Sequence, residues 1–355
     1  MRILFMAGRE LVYPRNDVLL RAFQRFGKVD VVGVEKRPAS LVTNSMRLAA
    51  RAIPKLISGR YDLVFVGFYG HLLMLPAGLL ARKPVLFDAF VSTFDTLSSD
   101  RNVFSEDSMA GRLAFWLDRT GCRLADHVLL DTPSHAEYFA GTFSLSGKKI
   151  SAIPVGCNED IFFPQPLSFS SPCTRVLYYS SYLPLHGVET VIRAAALLKH
   201  EKLQFRLIGS GQNYEQVRRL ASELGVQNVE FIQDVPLEQL PKELSAADIC
   251  LGGHFGSSGK AGRVVPGKVY QILASGRPLI AASAPANLTL LSHGESAYLC
   301  PPDDAEALAA AILHLHRDSM LRRHLATGGR TLYGQACSEA IITERLHKIV
   351  MDMLG

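Results

Sequence analysis

Three basic side chains, Lys260, Arg263 and Lys268, stand close together in the stretch HFGSSGKAGRVVPGKVYQ. Glycine and serine let a backbone approach a ligand closely, and Pro266–Gly267 opens a helical run from Lys268 to Ala274. Unpaired N–H groups and the helix dipole at such a start favour an anion. The chemistry that suits these residues is therefore the holding of phosphate, through the Gly267 backbone and the Lys268 side chain. The plainer alternative is an ordinary helix start with solvated lysines. A second cluster, FDAFVSTFDTLSSDR, brings Asp88, Ser92, Asp95 and Asp100 together after a short apolar run. Carboxylates there suit the binding of sugar or acceptor hydroxyls; helix and turn capping is the alternative.

These residues need a scaffold, and the chain alternates short apolar runs with helical stretches throughout. In the first half Ile3–Ala7, Val29–Val34, Leu63–Val66, Val85–Phe87, Val128–Asp131 and Ile150–Val155 read as strands. Helices are expected between them, as at Val18–Phe26, Ser45–Ile57, Arg112–Leu124 and Ser134–Ala140. Continuous apolar runs of this length fit parallel strands covered on both faces. Phe163–Cys173, rich in proline and serine, reads as a linker. The pattern then restarts at Val176–Tyr179 and continues to a helix at Asp304–Leu315, capped by an aspartate. TGGRTLYGQAC reads as a break before a last helix, about Ser338–Met353. The expectation is an α/β chain of two doubly wound domains, 1–165 and 174–335. A final segment, 336–355, is expected to cross back to the first domain. Ligand should lie between the domains, at the carboxyl ends of strands.

Composition narrows the partners. The chain has 355 residues, 48% hydrophobic and 20% charged, which suits two ordinary soluble domains. A net charge of +5 without a concentrated basic stripe argues against nucleic-acid binding. Six scattered cysteines, with no C-x-x-C pair, fit a reducing cytoplasm rather than a zinc site or a disulfide framework. No signal peptide is expected. Leu63–Ala81 is long and uncharged, but its glycines, His71 and Pro76 favour strand, turn and short helix over a membrane span. Between Lys36 and Arg60 no acidic residue occurs. Lys36, Arg37, Arg47, Arg51, Lys55 and Arg60 flank apolar residues at near-helical spacing. Such a helix either lies on an anionic membrane surface or packs, solvated, on its own domain.

From Arg175 to Leu315 the chain resembles the nucleotide-binding domain of GT-B glycosyltransferases, especially the retaining family 4. The resemblance is carried, in order, by VLYYSSYLPLHGVETVIRAAALL, FRLIGSGQNYEQVRRLASELGVQNVEFIQDV, LSAADICL, KVYQILASGRPLIAAS and SHGESAYLCPPDDAEALAAAI. It implies two Rossmann-like domains facing across a cleft and a nucleotide-diphosphate sugar as donor. It implies hexosyl or related transfer with retention, to a glycan or lipid-linked acceptor, at the inner membrane face or in the cytoplasm. No cofactor and no metal are expected, and no Asp-x-Asp motif is present. Ser181 and His186 stand where the family has an arginine and a lysine on the diphosphate. Arg263 and Gln271 replace the two signature glutamates, the second of which binds ribose hydroxyls. Gln271 offers one acceptor and one donor group instead. Lys268, Arg263 or Lys260 would resupply the missing charge. Gly209 and Gly211 would approach donor or base, or simply form a turn. Gly8 and Arg9, with Arg15 nearby, would approach donor phosphate and acceptor. Asp88, Asp95 and His186 are the catalytic candidates; His71 faces the ligand or is a buried core histidine. Phe90 stands where many members have a histidine. Three other readings stay open: a nucleotide-sugar epimerase, a degenerate protein that binds without turnover, and an oxidoreductase. The last is disfavoured because no G-x-G-x-x-G follows the first strand.

Overall fold

The computed structural model describes residues 1–355 except 37, 101–102 and 168–172, and describes only the backbone at 99 and 100. Arg37, Arg101, the Asp100 side chain and part of the 163–173 linker thus lie outside the described residues.

Two compact units are present, Met1–Asn158 with Glu339–Gly355, and Glu159–Ser338. In the first, the order is β1 (Arg2–Glu10), α1 (Pro14–Phe26), β2 (Lys28–Val34), α2 (Leu41–Ile57), β3 (Leu63–Val66) and α3 (His71–Leu80). It continues with β4 (Val85–Asp88), α4 (Thr93–Asp95), α5 (Met109–Leu124), β5 (His127–Leu130), α6 (Pro133–Phe143) and β6 (Ile150–Ala152). The second unit has β7 (Thr174–Tyr179), α7 (Val188–Leu197), β8 (Leu203–Ile208), α8 (Tyr214–Glu223), β9 (Val229–Ile232) and α9 (Leu240–Ala246). Then come β10 (Ile249–Gly253), α10 (Gly259–Arg263), α11 (Gly267–Ala274), β11 (Leu279–Ala282), α12 (Pro285–Leu288), β12 (Tyr298–Cys300), α13 (Ala305–Arg317) and α14 (Ser319–Ala336). The last helix, α15 (Glu339–Leu354), belongs to the first unit.

All strand pairs are parallel. The first sheet runs β2-β1-β3-β4-β5-β6 and the second β12-β11-β10-β7-β8-β9. The second order is that of a dinucleotide-binding sheet, with the chain reversing direction between β7 and β10. The first reverses between β1 and β3. Ligands bind outside the carboxyl ends of strands at such points. In the first unit α2, α3, α5 and α6 feed the core on one face of the sheet. Helices α1 and α15 cover the other, through residues such as Phe23 and Leu346. The buried Glu339 carboxylate, which accepts from Arg21 Nε at 2.9 Å and Arg25 Nη2 at 2.8 Å, pins α15 there.

One local expectation fails for a physical reason. The glycine-rich break at 327–337 is instead the C-terminal half of α14 with its cap, Cys337. Its glycines permit contact: a Cβ on Gly329 would stand 2.7 Å from Leu273 Cδ2, and one on Gly328 2.1 Å from the Glu295 carbonyl oxygen. The loop after β10 contains a short helix, α10, capped by Ser258 Oγ, which accepts from Ala261 N at 3.2 Å. Leu63–Leu80 is strand, turn and helix, as its glycines and Pro76 require. Among the described residues no helix is long and apolar enough to cross a membrane.

Candidate functional site

At the reversal point of the second sheet, three loops press backbone on backbone. A Cβ on Gly209 (φ +125°) would fall 1.8 Å from the Ser180 carbonyl oxygen, and one on Gly211 (φ +150°) 1.9 Å from that of Ser181. A Cβ on Gly187 would meet the Phe255 carbonyl carbon at 2.2 Å. The loop after β7 is thereby held between those after β8 and β10, and glycine is what such contact requires. Gly209 and Gly211 thus have a packing reason to be glycine that no ligand contact is needed to explain.

Lys268 lies in the first turn of α11, whose cap, Pro266, offers no side-chain bond. The side chain is 8% exposed, and Nζ has no hydrogen-bond or ion-pair partner among the described residues. Nζ sits 4.7 Å from the ring centre of Tyr178, whose hydroxyl donates to the His186 carbonyl at 2.7 Å. An aromatic face eases a buried ammonium but does not neutralise it. Burial pushes the Lys268 pKa down to about 7. A bound anion would reverse that shift. Gly267 has open space where its Cβ would be, so the helix N-terminus is not walled off on that side.

His254, which sequence reasoning missed, stacks on His186 with ring centres 5.2 Å and planes 10° apart. Burial, followed by the nearby cations Lys268 and Lys260, holds its pKa well below the ordinary histidine value. It is therefore neutral at pH 7, and its Nδ1 has no hydrogen-bond partner among the described residues. His186 Nδ1 accepts from the Leu183 N–H at 3.3 Å, which braces the turn. Ser181 is exposed, and Lys260 and Arg263 are half-buried on α10. Gln271 is buried, and its Oε1 accepts from the Tyr179 hydroxyl at 2.8 Å. Its carbonyl oxygen thus already accepts one bond from the protein. Tyr178, Tyr179 and His254 carried no signal beyond their place at strand ends.

The reversal point of the first sheet is treated differently. Gly8 lets the chain pass the Tyr69 carbonyl oxygen, 2.0 Å from where its Cβ would be. Arg9 is held by Glu10 through two bonds of 2.7 Å. Its guanidinium also lies 5.5 Å from the Tyr13 and Tyr69 ring centres and 5.8 Å from Phe68. Arg15 is fully buried and pairs with Asp88, Nη2 to Oδ1 at 2.8 Å. It also donates to the carbonyls of Leu130, Ile153 and Pro154 and lies 5.5 Å from the Phe90 ring.

These contacts correct the acidic-cluster reading. Asp88 has no accessible surface for a hydroxyl; it is the internal counter-ion of Arg15. Burial pushes its carboxyl up while Arg15 pulls it down. Asp95 is 2% exposed, in the first turn of α4, where its N–H donates to Ser92 Oγ at 2.9 Å. Ser92 donates in turn to the buried Asp118 at 2.6 Å, which also accepts from the Thr93 and Phe94 N–H groups. His71 is buried, Nε2 3.4 Å from Asp118 Oδ1, and burial lowers its pKa. Ser92 and Asp118 thus hold the start of α4.

The comparisons agree with this architecture. The family model for glycosyl transferases group 1 matches residues 174–318. The chain is 29% identical over 176 residues to the probable glycosyltransferase WbjE of Pseudomonas aeruginosa, covering 48% of this chain and 42% of that protein. It is 31% identical over 140 residues to the putative colanic acid biosynthesis glycosyl transferase WcaI of Escherichia coli strain K12 (39% and 34% covered). The match thus spans less than half the length of these relatives. Among solved structures, Anabaena Alr3699/HepE in complex with UDP and glucose aligns with TM-score 0.73 at 17% identity, over 99% and 100% of the two chains. Sucrose-phosphate synthase from Thermosynechococcus elongatus aligns with TM-score 0.78 at 16% identity, over 99% of each. The chain therefore has the GT-B fold, and its residues 174–318 match the family model for glycosyl transferases group 1.

Proposed function

We propose that the protein is a glycosyltransferase that moves a sugar from a nucleotide-diphosphate sugar to a glycan or lipid-linked acceptor. The observation that carries this reading is Lys268: a buried cation without a polar partner, at the start of a helix, at the reversal point of the sheet. A diphosphate would supply the missing counter-charge, and the α11 N-terminus would add unpaired N–H groups. Lys260 and Arg263 on α10 add positive charge on the same side. His186, His254 and Ser181 would donate to phosphate or sugar oxygens, and the Gln271 amide would reach the ribose. The neighbour Anabaena HepE was solved with UDP-glucose, which supports a donor of this class.

Family likeness supports transfer with retention. The bond from the anomeric carbon to the leaving phosphate oxygen breaks, and a bond to the acceptor oxygen forms on the same face. The acceptor proton passes to the leaving phosphate. The protein's part is to stabilise charge on the diphosphate and to orient both substrates. Lysine and helix dipole serve that need, so the reading requires no metal or cofactor. Gly8 and Arg9 would approach donor phosphate and acceptor, although Glu10 already engages the Arg9 guanidinium. A lipid-linked acceptor would bring the enzyme to the inner face of a membrane as a peripheral protein.

The test is a panel of nucleotide sugars, followed by thermal stabilisation and slow donor hydrolysis. Stabilisation by uridine or guanosine diphosphate, with release of sugar, is the expected result. Binding without turnover, with acceptors supplied, would reduce the protein to a nucleotide binder. Stabilisation by nicotinamide dinucleotides alone would overturn the reading.

A further inference from the structure

Helices α2, α3 and α5 lie side by side on one face of the first unit, with α3 packed against both others. Their inner sides fill the core, through Leu48 and Ala52, Leu73 and Met74, and Cys122. A surface helix ordinarily turns polar on the opposite side. These do not. On α2, Val42, Met46, Ile53 and Ile57 are exposed, at spacings of four, seven and four residues that stack them along one line. On α5, Met109 is 89% exposed, with Leu113 and Trp116 following at four and three residues. Leu79 and Leu80 of α3 are exposed near its end.

The polar residues among these stripes are of one sign. Arg47 and Arg51 flank the α2 stripe, and Arg112 and Arg123 lie exposed on α5. Neither α2 nor α3 contains a carboxylate, and the one in α5, Asp118, is buried in the α4 cap. Exposed acids occur only outside the three helices, at Glu106 and Asp107 in the turn before α5 and at Glu35 ahead of α2, while Lys55 of α2 pairs with Asp30 at 3.9 Å. The opposite face differs: the exposed Met351 of α15 is accompanied by exposed Glu344 and Asp352.

We propose that the outer face of α2, α3 and α5 docks the protein on an anionic bilayer surface. Apolar side chains enter the headgroup boundary while arginines meet lipid phosphates. Such helices bind by buried apolar area together with attraction to anionic lipid. Trp116 has the amphipathic ring that favours this depth. Attachment through such a face lies on the bilayer surface rather than across it. The proposal deepens the lipid-linked acceptor reading, but its test needs neither donor nor acceptor.

Trp116 is the chain's single tryptophan, so its emission reports this face directly. The full chain is titrated with vesicles of phosphatidylcholine alone and with vesicles that also contain phosphatidylglycerol, with co-sedimentation in parallel. The expected result is a blue shift and binding with the anionic vesicles, weakened by salt. Arg47→Gln with Arg51→Gln should weaken that binding about tenfold or more. Met46→Gln with Ile53→Gln should abolish the blue shift. Both pairs are at the surface and should keep wild-type circular dichroism and uridine diphosphate binding. The proposal is overturned if wild-type protein ignores anionic vesicles or binds both kinds equally. Vesicle-free self-association that Met46→Gln with Ile53→Gln abolishes would also overturn it, making the face a contact between copies. Failure here leaves donor binding untouched, and failure of donor binding leaves vesicle binding untouched.

Discussion

Each unit has a parallel sheet that reverses direction near its middle, and each places cations at that point. The first unit matches them with carboxylates: Arg9 has Glu10 and Arg15 has Asp88. The second buries Lys268 over the Tyr178 ring with no carboxylate paired to it among the described residues. One topology thus serves two ends. A buried cation with its own counter-ion is a strut, costly to break and indifferent to ligand. A buried cation without one is a standing cost that an anion removes. Charge compensation, not the presence of arginine or lysine, separates scaffold from site.

The largest expected effect breaks the strut. Arg15→Met strands Asp88 in a buried setting and should cost about 3–5 kcal/mol in chemical denaturation. Nucleotide binding per folded molecule should not change. A small stability loss with lost binding would instead put Arg15 in the site. Next, Lys268→Met should weaken uridine or guanosine diphosphate binding about 10- to 100-fold by calorimetry. The same change should stabilise the ligand-free protein. The folded pKa lies below the usual lysine value, so the unfolded chain binds more protons between about 7 and that value. The gain should therefore be full at neutral pH and below, and shrink as pH rises toward 10. A variant that is less stable and binds normally would make Lys268 a structural residue. The smallest effect is Gln271→Glu. A carboxylate can accept from both ribose hydroxyls, so diphosphate nucleosides should bind a few-fold tighter, about 3- to 10-fold. Inorganic pyrophosphate should show no gain. An equal gain for both would separate position 271 from the ribose.

Local signals were legible in the chain. Pro266–Gly267 before an apolar-periodic run marks a helix start, so Lys268 was placed at an N-terminus without the structure. The short apolar runs located the parallel strands. Pairing across the chain was not legible. Arg15 and Asp88 are 73 residues apart, and no local pattern says that they meet. Asp88 therefore looked like a ligand-binding carboxylate. His254 gave no sign that it would stack on His186, because the two loops meet only when Gly187 lets the backbones touch. The glycines of α14 misled for the opposite reason. They read as breakers, yet tertiary packing against Leu273 and Glu295 uses their lack of a side chain.

The account rests on Lys268 lacking a counter-ion until a diphosphate arrives. Calorimetric titration with uridine and guanosine diphosphate at pH 8, repeated in buffers of different ionisation enthalpy, tests this directly. Free Lys268 is then largely neutral, since burial sets its pKa at about 7. The bound diphosphate raises that value again. Binding should therefore take up close to one proton, affinity should fall as pH rises above 7, and both effects should vanish in Lys268→Met. Tight binding with no proton uptake, unchanged in that variant, would contradict the account.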